Sequence, residues 1–456
     1  MADPQIVWLR QDLRLADQPA LAAAASTGPV VALYVLDDET PGDWRIGGAQ
    51  RWWLHHSLAA LADALAEGGV RLILRRGRAD EEVARFADEI GAGGVHALRH
   101  YEPWWKETEK ALADAVPLTL YDGTRLVPPD RVRTGQGGRY RMFTPFWRAL
   151  QKQMPPPPTA DVPKDMTGWT GKAKSDRLED WALLPTKPAW AGGFEQWTPG
   201  EAGAADALEA FGDALADYET DRNRPAVEGT SRLSPHLHHG EVSPATVWRA
   251  LSRRKAAPAF LRELAWRDFT GNVIDILPDY ADENGRPAFD RMPWRDDAAA
   301  TRDFTAWTEG RTGYPIVDAG MRQLWTTGWM HNRVRMIAAS FSIKHLLLDW
   351  RRGEAWYWDT LVDADYGNNS VNWQWVAGTG IDSNPFGRIM APIGQSEKFD
   401  AADYIREWVP ELKDVGDDAI HDPHGAGCAP ADYAKPLIGH REARERALAA
   451  AAKVKG

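Results

Sequence analysis

Cysteine is almost missing from this chain. Cys428 is the sole one among 456 residues, which excludes an internal disulfide and a thiolate zinc site. No apolar run approaches the length of about 20 residues that crosses a bilayer. The first apolar stretch, in MADPQIVWLR, meets a charge at once, so an ordinary signal peptide is excluded and a soluble, cytoplasmic protein is expected. No GxGxxG follows that stretch, so the dinucleotide fingerprint of nicotinamide enzymes is absent. No internal repeat is evident.

What the chain does have is acid and tryptophan. Its net charge of −11 argues against nucleic acid until the distribution is read. Between Met321 and Arg352 stand six Lys or Arg against one acid, Asp349, and between Arg222 and Arg267 nine against three. A local basic surface binds phosphate while the whole molecule stays acidic and soluble. The competing reading is that these arginines are ordinary salt-bridge partners. Of the 23 tryptophans, most must be core, because each large ring contributes much buried area. Only its place in a motif gives a tryptophan a role.

The first part of the chain alternates short apolar runs with amphipathic stretches. IVWL (6–9), VVALYVL (30–36), VRLIL (70–74), GVHAL (94–98) and PLTLY (117–121) read as buried strands, with helical spacing over 49–66 and 80–90. That alternation predicts a Rossmann-like α/β domain with a doubly wound, parallel five-stranded sheet, placed at residues 1–130. MPPPPTADVP (154–163) is a stiff, extended linker by composition, and residues 131–200 are taken as a connector. Helical spacing at 204–218, 245–254, 260–276, 316–326, 334–348 and 355–361 predicts an all-α C-terminal domain over 201–456.

The most informative segment is DADYGNNSVNWQW (363–375). Its carboxylates and amides stand among tryptophans, where burial is costly unless each finds a partner. A polar ligand in a dry, aromatic site is implied. GWMHNRVRM (328–336) has the same mixed character. In EGTSRLSPHLHHGEVSP (228–244), small hydroxyl residues and an arginine near a predicted helix start make an anion cradle suited to a diphosphate, with plain helix capping as the competing explanation. RELAWRDF (262–269) puts Glu263, Trp266 and Arg267 on one helix face, where a surface salt bridge is the bland alternative.

These segments, with WLRQDLRLAD (8–17) and HREARERAL (440–448), resemble the DNA photolyase and cryptochrome family, and most of all its bacterial cyclobutane pyrimidine dimer photolyases, the class III subgroup among them. The resemblance covers nearly the whole chain and is strongest between Tyr218 and Trp375. It implies a carbon–carbon lyase, a deoxyribodipyrimidine photo-lyase, that uses reduced FAD and blue light on UV-damaged DNA as a monomer. By resemblance, Thr230, Ser231, Arg232, Leu233 and Ser234 contact the phosphates and ribityl chain of FAD, with Tyr218 packed nearby. Asp363 and Asp365 bond the flavin ring edge and a nearby arginine, and Asn369 faces the redox-active nitrogen. Arg335, counted with that set, also flanks the lesion pocket with Arg388 and Lys398, which grip the DNA backbone.

On the lesion side the resemblance gives Glu263 a hydrogen bond to the damaged base pair and a stabilising role toward the dimer radical anion. Trp266, Arg267, Met336 and Trp375 accompany it. Asn332 and Met336 stand where six-four photolyases carry histidines, which favours the cyclobutane lesion. His331 is read as structural or phosphate-side. Trp373, Trp350 and Trp294 are the electron relay, the last in a loop longer than usual. In HYEPWWKETE (100–109), Trp104 and Trp105 replace a folate-binding Asn-Glu pair. They imply a subgroup whose antenna, methenyltetrahydrofolate as first choice, stacks on tryptophan; a deazaflavin, a flavin mononucleotide or no antenna stays open. The alternative function is a cryptochrome-type photoreceptor without repair, against which Glu263, Asn332, Met336 and Asn369 all count. A nicotinamide-dependent flavin oxidoreductase lacks a locatable nicotinamide site.

Overall fold

The computed structural model describes residues 2–383 and 385–455. Five strands, β1 (Gln5–Leu9), β2 (Val30–Leu36), β3 (Leu72–Arg76), β4 (Gly94–Leu98) and β5 (Leu118–Tyr121), form one parallel sheet in the order β3-β2-β1-β4-β5. Val7 sits opposite Ala32 on one side and His96 on the other. Every residue of β1, β2 and β4 is buried. Helices cover both faces of such a sheet, so its strands read as unbroken apolar runs instead of alternating ones. The third strand begins two residues later than its apolar run, at Leu72. Val70 is spent on the preceding helix, where its N–H closes on the Leu65 carbonyl at 2.9 Å.

The rest of the chain is helical. The elements that matter for the site are α1 (Phe143–Gln151), α2 (Ser234–His239), α3 (Ala257–Ile276), α4 (Asn332–Ser340), α5 (Trp350–Thr360) and α6 (Tyr366–Ala377). The helix expected over 334–348 ends at Ser340 and passes into a π-helical turn, Phe341–His345. Leu347 then adopts a left-handed φ of 53°. Arg295 covers the exposed carbonyls there, its side chain bonding Leu346 O and its N–H Leu347 O, both at 2.9 Å.

In a sheet of this order, the chain leaves β1 and β4 in opposite directions and opens a crevice beyond their C-terminal ends. The helical part is seated on that crevice. Leu13 N–H bonds the His239 carbonyl at 3.1 Å, and the Arg14 guanidinium bonds the Gly240 carbonyl at 2.9 Å. Gly240 has a φ of 70°, and a Cβ there would run into the Gln11 carbonyl, so glycine alone fits. The Trp53 indole donates to Glu241 at 2.9 Å. What remains of the crevice is a chamber of about 20 Å³ lined by Gln11, His100, Arg125, His238, Arg267 and Asp365 among others, room for a water molecule or so. Trp8, Trp53, Trp307 and Trp350 are among the largest fully buried side chains, in line with the expectation that most tryptophans are core. Among the described residues no helix is long and apolar enough to cross a membrane.

Candidate active site

His331 lies in the field of four arginines. His331 caps the N-terminus of α4, its Nδ1 accepting the Arg333 N–H at 3.2 Å. Burial draws its pKa down to about 4, and Arg333, Arg335, Arg232 and Arg222 add to the shift. The ring is therefore neutral. Nδ1 accepts, so Nε2 carries the proton, and that buried Nε2 has no partner among the described residues. Arg222, Arg335 and Arg232 already pair with Glu263, Asp363 and Glu228, so the free donor capacity here is the His331 Nε2–H and Arg333, and an anionic acceptor suits both. Thr230 and Ser231 are half-buried, Leu233 is buried, and Ser234 is exposed at the start of α2. Arg232 adopts a left-handed φ of 50°, with its guanidinium over the Trp329 ring at 4.7 Å. Tyr218 is buried against Phe211 and Phe260. The donor set fits the diphosphate of a dinucleotide.

Two carboxylates lie beyond this cluster. Asp363 takes both Arg335 nitrogens, at 3.0 and 2.8 Å, in the bidentate geometry that arginine favours. Asp365 caps α6 by accepting the Asn368 N–H at 2.8 Å and pairs with Arg267 at 3.0 Å. Burial opposes its ionisation, but Arg267 and Arg125 outweigh burial and hold the carboxyl well below the usual range. Asn369 is fixed by an Nδ2 bond to the Glu354 carbonyl at 3.1 Å. Glu354 itself is buried with both carboxyl oxygens unpartnered among the described residues. Burial pushes its pKa well up.

The lesion-side residues occupy a rim. Glu263 pairs with Arg222 at 2.8 Å and stays one-third exposed. Trp266, one turn on, lies flat against Phe143, with ring centroids 3.7 Å apart and an interplanar angle of 8°. Asn332 is exposed and Met336 half-buried on α4, the latter 3.9 Å from the Arg333 guanidinium. Trp375 is half-buried on α6, Arg388 is exposed, and Lys398 lies over the Phe399 ring, which Arg333 also covers. Arg267 departs from expectation. It does not line the rim with Glu263 but turns inward to Asp365 and the interdomain chamber, because the long side chain finds a buried carboxylate there.

The tryptophans also rearrange. Trp373 is buried with Tyr357 at 4.9 Å and Trp307 at 6.3 Å as its ring neighbours. A Cβ on Gly353 would strike its ring, and Trp350 lies one helical turn before that glycine. The Trp350 indole donates to Asn284 at 3.0 Å. Trp294 is half-buried, and its ring partner is Phe386, 6.3 Å away.

The pattern of the FAD binding domain of DNA photolyase matches residues 260–453, and that of DNA photolyase matches residues 5–164. The chain is 49% identical to a deoxyribodipyrimidine photo-lyase of Agrobacterium fabrum over 479 aligned positions, 99% of this chain and 98% of that one. The chain belongs to the DNA photolyase family. A crystal structure of a bacterial class III photolyase from Agrobacterium tumefaciens superposes with a TM-score of 0.94 at 48% identity, over 100% of this chain and 98% of that one. An archaeal photolyase from Sulfolobus tokodaii, solved with two FAD molecules, superposes at 0.83 with 29% identity, over 99% of this chain and 100% of that one.

The expectation of an antenna stacked on Trp104 or Trp105 does not fit their burial. Trp104 and Trp105 are 8% and 6% exposed, so neither offers an open face to an antenna. Trp105 donates to Gln11, and Trp104 packs on Tyr366. The half-buried Trp44 does border an open cleft of about 430 Å³, with Arg45, Asp282, Arg351, Glu354 and Trp358. Sequence reasoning missed Trp44, Arg222 and Phe143. Trp44 stands alone between helices, and the partners of the other two are far off in sequence.

Proposed function

We propose that the protein splits cyclobutane pyrimidine dimers in UV-damaged DNA, by light-driven electron transfer from reduced FAD to a lesion turned out of the duplex. The observation that carries this reading is the adjacency of two sets of residues on neighbouring helices. One is an arginine-rich cradle with an orphaned His331 donor. The other is the Glu263–Trp266 rim with Asn332 and Met336 on α4. When bound, reduced FAD supplies on blue-light excitation the single electron that weakens the cyclobutane bonds.

The chain's own residues do the rest. His331 and the arginines around it would hold the diphosphate. Asp363, fixed by Arg335, and Asp365, fixed by Arg267, would accept hydrogen bonds from the flavin. Asn369 would offer the flavin an amide, not an acid. Trp266 and Trp375 offer apolar faces to the extruded bases, and Glu263 meets their carbonyl and N–H groups. Extrusion is the general solution of enzymes, photolyases included, whose target is unreachable in the stack, and a damaged pair costs less to unstack. Neither Asn332 nor Met336 titrates, so the site lacks the proton shuttle a six-four lesion requires. Arg388 and Lys398 take phosphates, and Trp373 returns an electron when the flavin is oxidised.

A second chromophore suits the Trp44 cleft. The interdomain chamber is too small for a ring system, whereas 430 Å³ accommodates a pterin against Trp44, and methenyltetrahydrofolate is the choice we favour. The test of the main reading is substrate choice. One preparation is offered a cyclobutane thymine dimer and a six-four photoproduct in separate oligonucleotides under blue light. Restoration of the first alone is expected. Restoration of the six-four lesion, or of neither by a flavin-loaded protein, overturns the reading, the latter in favour of a photoreceptor.

A further inference from the structure

Residues 131–152 hold Arg131, Arg133, Arg139, Arg141, Arg148 and Lys152 and no acid, in a chain of net charge −11. Three of these cations are used internally. Arg131 pairs with Asp122 at 2.8 Å, Arg139 pairs with Asp275 at 2.7 Å, and Arg133 bonds the carbonyls of Asp130 and Gly137. Arg141 is exposed. Beside it stands Met142, 56% exposed, the highest value among the exposed large hydrophobic residues described.

One exposed apolar side chain is ordinary. What sets Met142 apart is its mount. It is the N-cap residue of α1, and its carbonyl takes the Phe146 N–H at 3.3 Å. Its neighbour Phe143 is stacked on Trp266, and the Phe143 N–H is held by Asp382 at 2.7 Å. Met142 and Arg141 are thus fixed on the rim between the helix of Glu263 and the loop that leads to Arg388. An unbranched, polarisable side chain suits base faces, and the exposed cation beside it suits a phosphate backbone.

We propose that Met142 and Arg141 form a contact specific to duplex DNA. Met142 packs on the base faces that lose their stacking partner when the lesion leaves the helix, and Arg141 takes the phosphate beside it. The inference rests on the reading that a lesion is extruded from DNA into the pocket beside Trp266. Apolar wedges at unstacked steps are a general device of proteins that kink DNA, and an arginine next to one adds a charge that the backbone neutralises.

The test compares one thymine dimer in a duplex and in the corresponding single strand, with wild type, Met142→Ala, Met142→Leu and Arg141→Gln. Flavin content and thermal midpoint serve as controls of folding. Met142→Ala should weaken duplex binding roughly tenfold and single-strand binding less than about twofold, because only the duplex loses stacking on extrusion. Met142→Leu should retain most of the affinity. Arg141→Gln should lower the salt slope of duplex binding by about one. Equal loss on both substrates, or no loss, overturns the wedge. Wild type with no preference for dimer-containing over intact DNA overturns the functional reading beneath it, and the wedge with it.

Discussion

Glu263 is partly exposed and carries Arg222 at 2.8 Å, so under the proposed mechanism it would meet an extruded base with its charge already balanced. Replacing it with Ala should leave flavin content intact and DNA affinity changed by no more than a few-fold, yet lower the dimers repaired per absorbed photon several-fold, since hydrogen-bond and proton assistance of this kind is made in the reacting state. An unchanged quantum yield removes Glu263 from the chemistry. Trp373→Phe should abolish light-driven reduction of oxidised flavin while sparing repair by chemically prereduced protein; surviving photoreduction means that the electron enters elsewhere. The buried carboxylates Asp363 and Asp365 were legible as groups needing partners, because acids among aromatics are costly to bury alone, and each has an arginine. The inward turn of Arg267 was not legible. Helical spacing puts it beside Glu263, but spacing says nothing of Asp365, nearly a hundred residues away, which draws it inward. Phe143 was hidden for the same reason, since its partner Trp266 belongs to another helix.

Among the elements, α6 depends most on a single cap. Asp365 both closes its first turn and neutralises the buried Arg267. Asp365→Asn keeps an acceptor for the cap but leaves the guanidinium uncompensated, and breaking a buried pair from one side costs about 3 kcal/mol or more. A clearly lower melting temperature and poorer flavin retention are expected. A double substitution, Asp365→Asn with Arg267→Met, should recover part of the stability. Failure of the single variant to lower the melting temperature shows that the pair is not what holds α6. The central strands were legible because parallel, doubly covered strands are continuous apolar runs, whereas the edge strand β5, expected to be buried, is only partly covered. The π-helical turn at Phe341–His345 was not legible, because the apolar spacing continues through it. Past that turn Arg295, a residue remote in sequence, captures the carbonyls of Leu346 and Leu347.

At the scale of the molecule, the two halves meet on buried neutral histidines. Burial draws His238, in the interdomain chamber, down to about 4 from 6.5, as it does His331. Between those values the unfolded chain binds protons that the folded chain refuses, so unfolding gains as pH falls. The stability tied to each histidine is complete above pH 6.5, is lost progressively below it and is gone near pH 4, up to about 3 kcal/mol apiece. Melting temperature should therefore fall through that window, and less steeply in His238→Gln. A flat profile contradicts the neutral assignment. Affinity for damaged duplex should drop steeply with salt despite the acidic net charge, because local arginines, not the whole-molecule charge, meet the phosphates. Light should make this protein a lyase. Purified, reduced protein is mixed with an oligonucleotide bearing one cyclobutane thymine dimer and kept in blue light or darkness. Intact thymines should return in the light alone, several-fold fewer per photon with Glu263→Ala. A flavin-loaded protein that binds the dimer yet leaves it unbroken in the light contradicts the account.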